Sequence, residues 1–537
     1  MSTIPLSESL LGKPTHPPER FESLLRGPVS KADRAEVMNY LRDTERNYRN
    51  GQVEISKYKA MISMLESKRE AMKKEMEKYR TLLSPVHRLP SELLSRIFED
   101  CCEYNFLDLT MPPASSLSMV CGRWREIALS SPGLWSSICI TGHHRVVHEE
   151  VTDEEVTFEE EILRGDSLVN RLRLCLERSV PAPLQLDITI LDNSSHYRSK
   201  QSVLSNIIMR LLAEHSERWE VLNYHGSDFF ASSAAGESNF PLLRRLHLGI
   251  GQGRSDNGDP TLPLDRFLSC AALTSVYTDA VDTDGRLQLP WTNIRVLSLE
   301  CCSQASVTMV LASCTALEEL TLGNIYNDTE TSDDRTVTLD TIRTLTISHP
   351  DPDSIPNVQH FIFPRLSTIN INYAEVKPIH LQELIQRSSC SITSLRLAGP
   401  RLTDSQLSSL LRLMPELRSL NIGTSEEGYP IVSPRVLERL TVNPIERHQV
   451  FLPRLVDLEI NLFGEHVDEQ TLINALTSRL IQIPSRSSPV RVDRLQSVDI
   501  QFFWDFEIPP DAFPSLQYLG EFGLKLTISH RICNCER

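Results

Sequence analysis

The sequence predicts an α/β protein in three parts: a long N-terminal helix, a small unit of short helices, and a long array of short parallel strands joined by helices. Three observations carry this. Apolar residues recur at seven-residue spacing across 31–83. Amphipathic helical stretches crowd residues 84–138. From about residue 184 onward an apolar triplet keeps returning, and a fixed period is the signature of stacked repeats. A length of 537 residues exceeds one ordinary domain and suits such a chain.

Composition narrows the function classes. The formal net charge is −16, which argues against nucleic acid or an anionic membrane surface as a partner, because like charges repel. No apolar run approaches the ~20 residues that span a bilayer. The first residues, MSTIPLSESLLGKPTHPPER, lack the basic start and apolar run of a signal peptide. The last, RICNCER, match no prenylation signal. The expectation is a soluble intracellular protein, cytoplasmic, nuclear or both. The cysteines mostly sit in apolar runs, which reads as reduced, buried thiol. Cys533 and Cys535 form a lone C-x-C with no second pair nearby, so no metal site is expected there.

Residues 1–30 carry five prolines among polar residues and read as a flexible leader. Residues 31–83 hold no proline before Pro85 and show two apolar seams. One runs Leu41, Tyr48, Ile55, Ile62, Met76, Leu83; the other Val37, Tyr58, Leu65, Met72, Tyr79. Arg34, Thr44, Gly51 and Arg69 interrupt the register, and charged residues fill the other faces. This is a coiled-coil pattern. Its seams can be covered in trans, as a homodimer through 31–83, or in cis, by the chain's own domain.

Residues 84–140 form the helical unit. Pro90 suits a first helical position and Glu92 complements the positive helix start. Leu89, Leu93, Leu94, Ile97, Phe98 and Cys101 share one face of the first helix. Leu117, Val120, Cys121, Trp124, Ile127 and Ala128 do the same further on, until Ser130-Ser-Pro-Gly133 stops the helix and Leu134-Trp135 follows. A unit this short sits near the lower size limit for independent folding and tends to lean on a neighbour. Residues 141–170 are acidic and irregular and read as a solvated linker.

Residues 171–537 carry the repeat. An apolar residue is followed three positions later by a second and two later by a third. The full copies are Trp219-Leu222-Tyr224, Leu243-Leu246-Leu248, Ile294-Leu297-Leu299, Leu317-Leu320-Leu322, Ile342-Leu345-Ile347 and Leu366-Ile369-Ile371. They continue as Ile392-Leu395-Leu397, Leu417-Leu420-Ile422, Leu437-Leu440-Val442, Leu455-Leu458-Ile460 and Leu495-Val498-Ile500. Leu273-Val276 and Leu516-Leu519 are incomplete copies. Between 294 and 437 the starts step by 20 to 26 residues, the period of leucine-rich repeats. The last two apolar residues alternate within a strand and point inward. One repeat cannot bury them, so repeats stack into an irregular solenoid with strands on the concave side and helices on the convex side. The step from 455 to 495 is too long for one repeat and predicts a hidden repeat or a loop within 461–494. Outward strand positions would line the concave face: Thr344, Thr346, Asn370, Arg396, Asn421, Arg439, Thr441, Asp457, Glu459 and Asp499. Polar, small and of mixed charge, they suit a protein substrate and offer no basic stripe for nucleic acid.

No catalytic constellation emerges. Gly249-Ile-Gly-Gln-Gly253 lacks the third glycine of a dinucleotide fingerprint, and the phosphate-loop, zinc-protease and nucleophile-elbow motifs are missing. His143, His144 and His148 lie in the acidic linker. The expectation is a non-enzyme with no cofactor and no metal.

Residues 84–138 resemble an F-box of the kind common in large fungal families. The matching residues are LPSELLSRIF (89–98), VCGRWREIA (120–128) and LW (134–135). The interval from Phe98 to Val120 is longer than usual and contains Pro112-Pro113. The resemblance implies binding to a Skp-type adaptor and, through it, to a cullin–RING ubiquitin ligase, with the repeats selecting the substrate. Carried over by position, the adaptor-facing residues are Leu89, Pro90, Leu93, Leu94, Ile97, Phe98, Val120, Cys121 and Trp124. Trp124 is expected near the adaptor and Trp135 in internal packing. The competing readings are a scaffold that uses coiled coil and repeats without a ligase, and an enzyme whose site converges only in space.

Overall fold

The computed structural model describes residues 19–141, 158–190, 198–226, 239–249, 267–279, 289–326, 336–348, 358–372, 378–399, 402–423, 432–442, 450–463, 467–480, 492–504 and 513–532. The chain divides into two compact units, Met1–Leu93 and Leu94–Arg537. The elements of the first are α1 (Glu19–Leu24), α2 (Lys31–Leu82) and the start of α3 (Ser91–Cys101). The second begins within α3 and continues with β1 (Asn105–Phe106), α4 (Pro113–Val120), α5 (Gly122–Leu129), α6 (Gly133–Ser136), β2 (Ser137–Thr141), α7 (Phe158–Arg178) and β3 (Leu184–Ile190). Then come α8 (Arg198–Ala213), β4 (Trp219–Gly226), β5 (Arg245–Gly249), β6 (Ser275–Thr278), β7 (Val296–Glu300), α9 (Gln304–Ser313), β8 (Glu319–Gly323), β9 (Val337–Thr338) and β10 (Thr344–Ser348). The last third holds β11 (Phe361–Ile362), β12 (Thr368–Asn372), α10 (Pro378–Ser388), β13 (Ser394–Ala398), α11 (Asp404–Arg412), β14 (Ser419–Gly423), α12 (Pro434–Leu440), β15 (Asp457–Phe463), α13 (Glu469–Leu480), β16 (Ser497–Trp504), α14 (Pro514–Gln517) and β17 (Lys525–Ile532).

The long helix expected over 31–83 is one unbroken element of 52 residues. Its start is set by Ser30 and Asp33. The Ser30 hydroxyl accepts from the Asp33 amide, and the Asp33 carboxylate accepts from the Ser30 amide, a reciprocal cap. Gly51 lies within it, since one glycine costs only about 1 kcal/mol inside a helix. Part of the stretch read as a leader is ordered: α1 places Phe21 edge-on against Tyr40 at 5.6 Å. No helix among the described residues is long and apolar enough to cross a membrane.

Among the described residues, the second unit is built on a parallel sheet of fifteen strands. Its order follows the chain: β1 to β8, then β10 and β12 to β17; β9 and β11 pair separately. The apolar triplets explain the register. Leu222, Leu246, Val276, Leu297, Leu320, Leu345, Ile369, Leu395, Leu420, Leu458 and Val498 stand opposite one another on successive strands. All are buried. Because side chains alternate with period two, a one-residue slip would turn this whole row to the polar face, so the row fixes the register. The first residue of each triplet, such as Ile294, Leu317 and Leu417, is also buried, in the turn entering the strand.

Two sequence expectations need correction. Leu437-Leu440-Val442 is not a strand: Leu437 and Leu440 lie on α12. Pro434 fits the first turn of a helix, and residues three apart share a helix face as readily as they enter a strand. Arg439 and Thr441 are therefore not sheet-face residues. Leu516 and Leu519 sit in α14 and the turn after it, and the last strand is β17. Between β15 and β16, which pair directly, the described residues hold α13 and no strand; residues 481–491 lie outside the described residues.

The cores of several turns are tied by arginine. Arg479 of α13, 3 % exposed, donates to the Leu440 carbonyl at 2.6 Å, Leu452 at 2.9 Å and Phe451 at 2.6 Å. Burial pushes its pKa down to about 10, so it remains charged at neutral pH. Arg387 of α10 does the same for the Val358 and Phe361 carbonyls, and Arg218 for Ala182. Arg479→Met preserves bulk but removes the donor to all three carbonyls, of which only Leu452 keeps another, the Leu455 amide. It is expected to lower stability by about 3 kcal/mol, read as a lower urea midpoint at unchanged slope.

Candidate adaptor-binding face and open sheet face

In α3, burial alternates with exposure along one helix. Leu94 and Phe98 are buried, whereas Leu93 is 53 % and Ile97 44 % exposed. Leu89 is half-buried and Pro90 exposed ahead of the helix. Within the second unit, the Phe98 ring packs at a tilt against Trp124 with centroids 4.7 Å apart, and the Ser95 and Ser131 hydroxyls meet at 3.0 Å. Val120, at the end of α4, is 60 % exposed. Cys121 and Trp124 are half-buried, and Cys121 caps α5 by accepting from the Trp124 amide. In the free chain Leu94 and Phe98 are thus buried, and the Phe98 ring lies against Trp124, while Leu93 and Ile97 are exposed.

Asn105 and Trp135 hold this segment. Asn105 is fully buried yet satisfied: its side-chain amide donates to the carbonyls of Leu134 and Ser137, and its oxygen accepts from the Ala114 amide. It lies in the long interval between Phe98 and Val120, where Pro113 starts α4. Sequence reasoning missed Asn105, since only the folded chain brings its three partners together. Trp135 is fully buried, donates from Nε1 to the Ala128 carbonyl at 2.8 Å, and carries the Arg178 guanidinium 4.5 Å over its ring. β2 then pairs in parallel with both β1 and β3, so the segment enters the large sheet without a gap in the ladder. The stretch read as a linker contributes the start of α7 from Phe158; residues 142–157, with His143, His144 and His148, lie outside the described residues.

On the polar face of the sheet, Asn370, Arg396, Asn421, Glu459 and Asp499 stand in one row across β12 to β16. Thr344 and Asp457 belong to a neighbouring row with Thr368, Ser394 and Ser419. Asn421 donates to Glu459 across the β14–β15 pair. Arg439, on α12, is outside both rows.

The same face carries a ring cluster on earlier strands that sequence reasoning did not single out. His225 and His247 meet edge to face at 4.5 Å, and Tyr277 follows His247 at 3.7 Å. Gly249 makes room: a β-carbon there would collide with the His225 ring. Tyr277 hydrogen-bonds Glu300, and burial with that carboxylate pushes its pKa up. Burial also raises Asp187, with His225 opposing. His247 is pushed down to about 4, first by burial and then by His225, and its Nε2 is buried without a hydrogen-bond partner. The period-two reading that marked Thr344 to Asp499 would have found these residues on β4 to β6.

The folded His247 pKa lies below the unfolded value. Between the two, the unfolded chain binds the extra proton, so stability is kept above about 6.5 and lost as pH falls toward 4. His247→Gln is expected to flatten that acid limb in pH-dependent melts, and NMR titration of the parent chain is expected to show His247 titrating near 4.

Among the described residues no group of three His, Cys, Asp or Glu side chains could hold a metal. Gly-Ile-Gly-Gln-Gly beyond Gly249, and Cys533 and Cys535, fall outside the described residues. No curated protein matches the chain. Residues 86–141, the segment that holds Ile97, Phe98, Val120, Trp124 and Trp135, match the F-box-like family, and the chain thus carries an F-box-like domain.

Proposed function

We propose that this chain is the substrate-recognition subunit of a Skp–cullin–F-box ubiquitin ligase. The observation that carries the reading is the F-box-like match over residues 86–141. F-box domains typically bind Skp-type adaptors, and the exposed Leu93, Ile97 and Val120 supply apolar contacts of the kind such an interface buries. The chain performs no chemistry in this reading. It holds substrate beside the ubiquitin carrier, and the raised effective concentration drives transfer.

The parallel sheet acts as a leucine-rich-repeat-like solenoid, and its polar face selects a protein substrate. Support comes from the sequential strand order and the mixed-charge row from Asn370 to Asp499. Because β1 and β2 continue into that sheet, substrate and ligase would be held by one ladder rather than by a loose tether.

Affinity purification of the full chain from cells treated with a proteasome inhibitor tests the reading. Recovery of a Skp-type adaptor and a cullin, with ubiquitinated protein, is expected. Recovery of partners without any adaptor would leave the scaffold reading in its place.

A further inference from the structure

One row on the polar face of the sheet runs Phe106, Cys139, Asp187, Asn223, His247, Tyr277 across β1 to β6. Strands lie about 4.8 Å apart, so Asp187 stands about 10 Å from Phe106 on one side and from His247 on the other. Rings flank it on both sides. Tyr104 and Phe106 meet at 6.4 Å and are partly exposed. His225, His247 and Tyr277 follow on β4 to β6, where Gly249 leaves room for the His225 ring. We infer that the stretch between these two groups of rings binds an arginine of an extended, basic substrate segment, which rests on the sheet face being the substrate surface.

Asp187 calls for a cation. Its carboxylate is half-buried, and among the described residues it takes part in no hydrogen bond and no ion pair. The one charge it feels there is His225, whereas Arg245 on β5 is felt by Tyr104. A carboxylate withdrawn from water without a partner is costly, so an incoming cation gains more here than at an exposed acid. Asn223, beside Asp187 on β4, also leaves its side-chain amide without a hydrogen bond among the described residues. The rings add to the attraction, because a cation is drawn to an aromatic face. His247 does not oppose it: its pKa, pushed down to about 4, leaves the ring neutral at neutral pH. Glu300 and Asp279 carry the negative field on to Tyr277. Arginine fits better than lysine. Its planar guanidinium stacks on a ring while its forked donors reach a carboxylate and an amide oxygen, whereas an ammonium is a strongly hydrated point charge. Tyr104 and Phe106 belong to the F-box-like match at 86–141, so the substrate would be gripped beside that segment rather than midway along the sheet.

The test uses the full chain and short peptides in saturation-transfer NMR. The probe is acetyl-Gly-Ser-Arg-Ser-Gly-amide, compared with the same peptide carrying lysine or citrulline in place of arginine. Transfer to the arginine side-chain protons is expected, weaker transfer with lysine, and none with citrulline, which keeps the shape and loses the charge. Asp187→Asn is expected to weaken the arginine peptide about tenfold or more. It is also expected to melt no lower than the parent chain, since the free carboxylate has no partner to lose. Tyr104→Leu, which loses the aromatic face, is expected to weaken binding about threefold. Asp499→Asn, far along the same face, is expected to change nothing. Equal binding by the parent chain and Asp187→Asn overturns the inference. So does a lysine or citrulline peptide bound as well as the arginine one, or no transfer at millimolar peptide. Adaptor capture is read on the same preparations. Capture without arginine binding overturns the arginine site and leaves the ligase reading standing, and arginine binding without capture does the reverse.

Discussion

Leu93→Asp combined with Ile97→Asp is expected to abolish capture of a Skp-type adaptor and leave the parallel sheet folded. Both residues lie one turn apart on α3 and are about half exposed, so neither substitution buries a charge in the free chain. In a complex they would, and the carboxylates would be stranded against an apolar surface. Loss of an apolar anchor costs about 2 kcal/mol at an interface hot spot. Two such losses amount to about a thousandfold in affinity, taken as an upper figure because neighbouring sites do not add cleanly. Pull-down against purified adaptor reads the effect, and unchanged circular dichroism and melting show that the sheet is intact. Undiminished capture would sink the assignment of this face. Leu94→Asp is the contrasting variant. Leu94 is 2 % exposed, so its charge enters the core and the melting temperature falls before binding can be judged.

Trp135→Ala is expected to destabilise the second unit by about 3–5 kcal/mol while adaptor capture in the cold is retained. The indole is fully buried, and its removal opens a large cavity. It also orphans the Ala128 carbonyl and takes away the ring beneath Arg178. Trp135→Phe keeps most of the volume and loses the hydrogen bond, so it should cost roughly 1–3 kcal/mol. Thermal and urea melts separate the two. If Trp135→Ala melted like the parent chain but lost the adaptor, the division of labour between Trp124 and Trp135 would be reversed.

Much of the fold is legible in the chain because its signals are local. Heptads announce α2, and Pro85 ends it within three residues of the observed boundary at Leu82. The triplets announce strands, since their last two members alternate on one face. Thr403, accepting from the Gln406 amide while Gln406 reaches back, caps α11. The signal fails where two periods coincide. Leu437 and Leu440 satisfy both a strand approach and a helical turn, and nothing nearby breaks the tie except Pro434. The substrate-face reading suffered there, placing Arg439 on the sheet. It also started too late along the chain, so His225, His247 and Tyr277 were passed over.

What the sequence by itself determined is the list of elements, the inward rows of the sheet and the F-box-like helices, because each depends on residues close together in the chain. What only the tertiary structure decided is which apolar residues remain available. Leu93 and Leu94 are neighbours of the same kind, and the packing of Phe98 and Trp124 above the second unit's core separates an exposed contact from a buried one. The same holds for Asn105 and Arg479, whose partners lie roughly 10 to 40 residues away. Their worth comes from buried carbonyls and amides that no local pattern records, since a backbone carbonyl or amide bonds alike whatever side chain its residue carries.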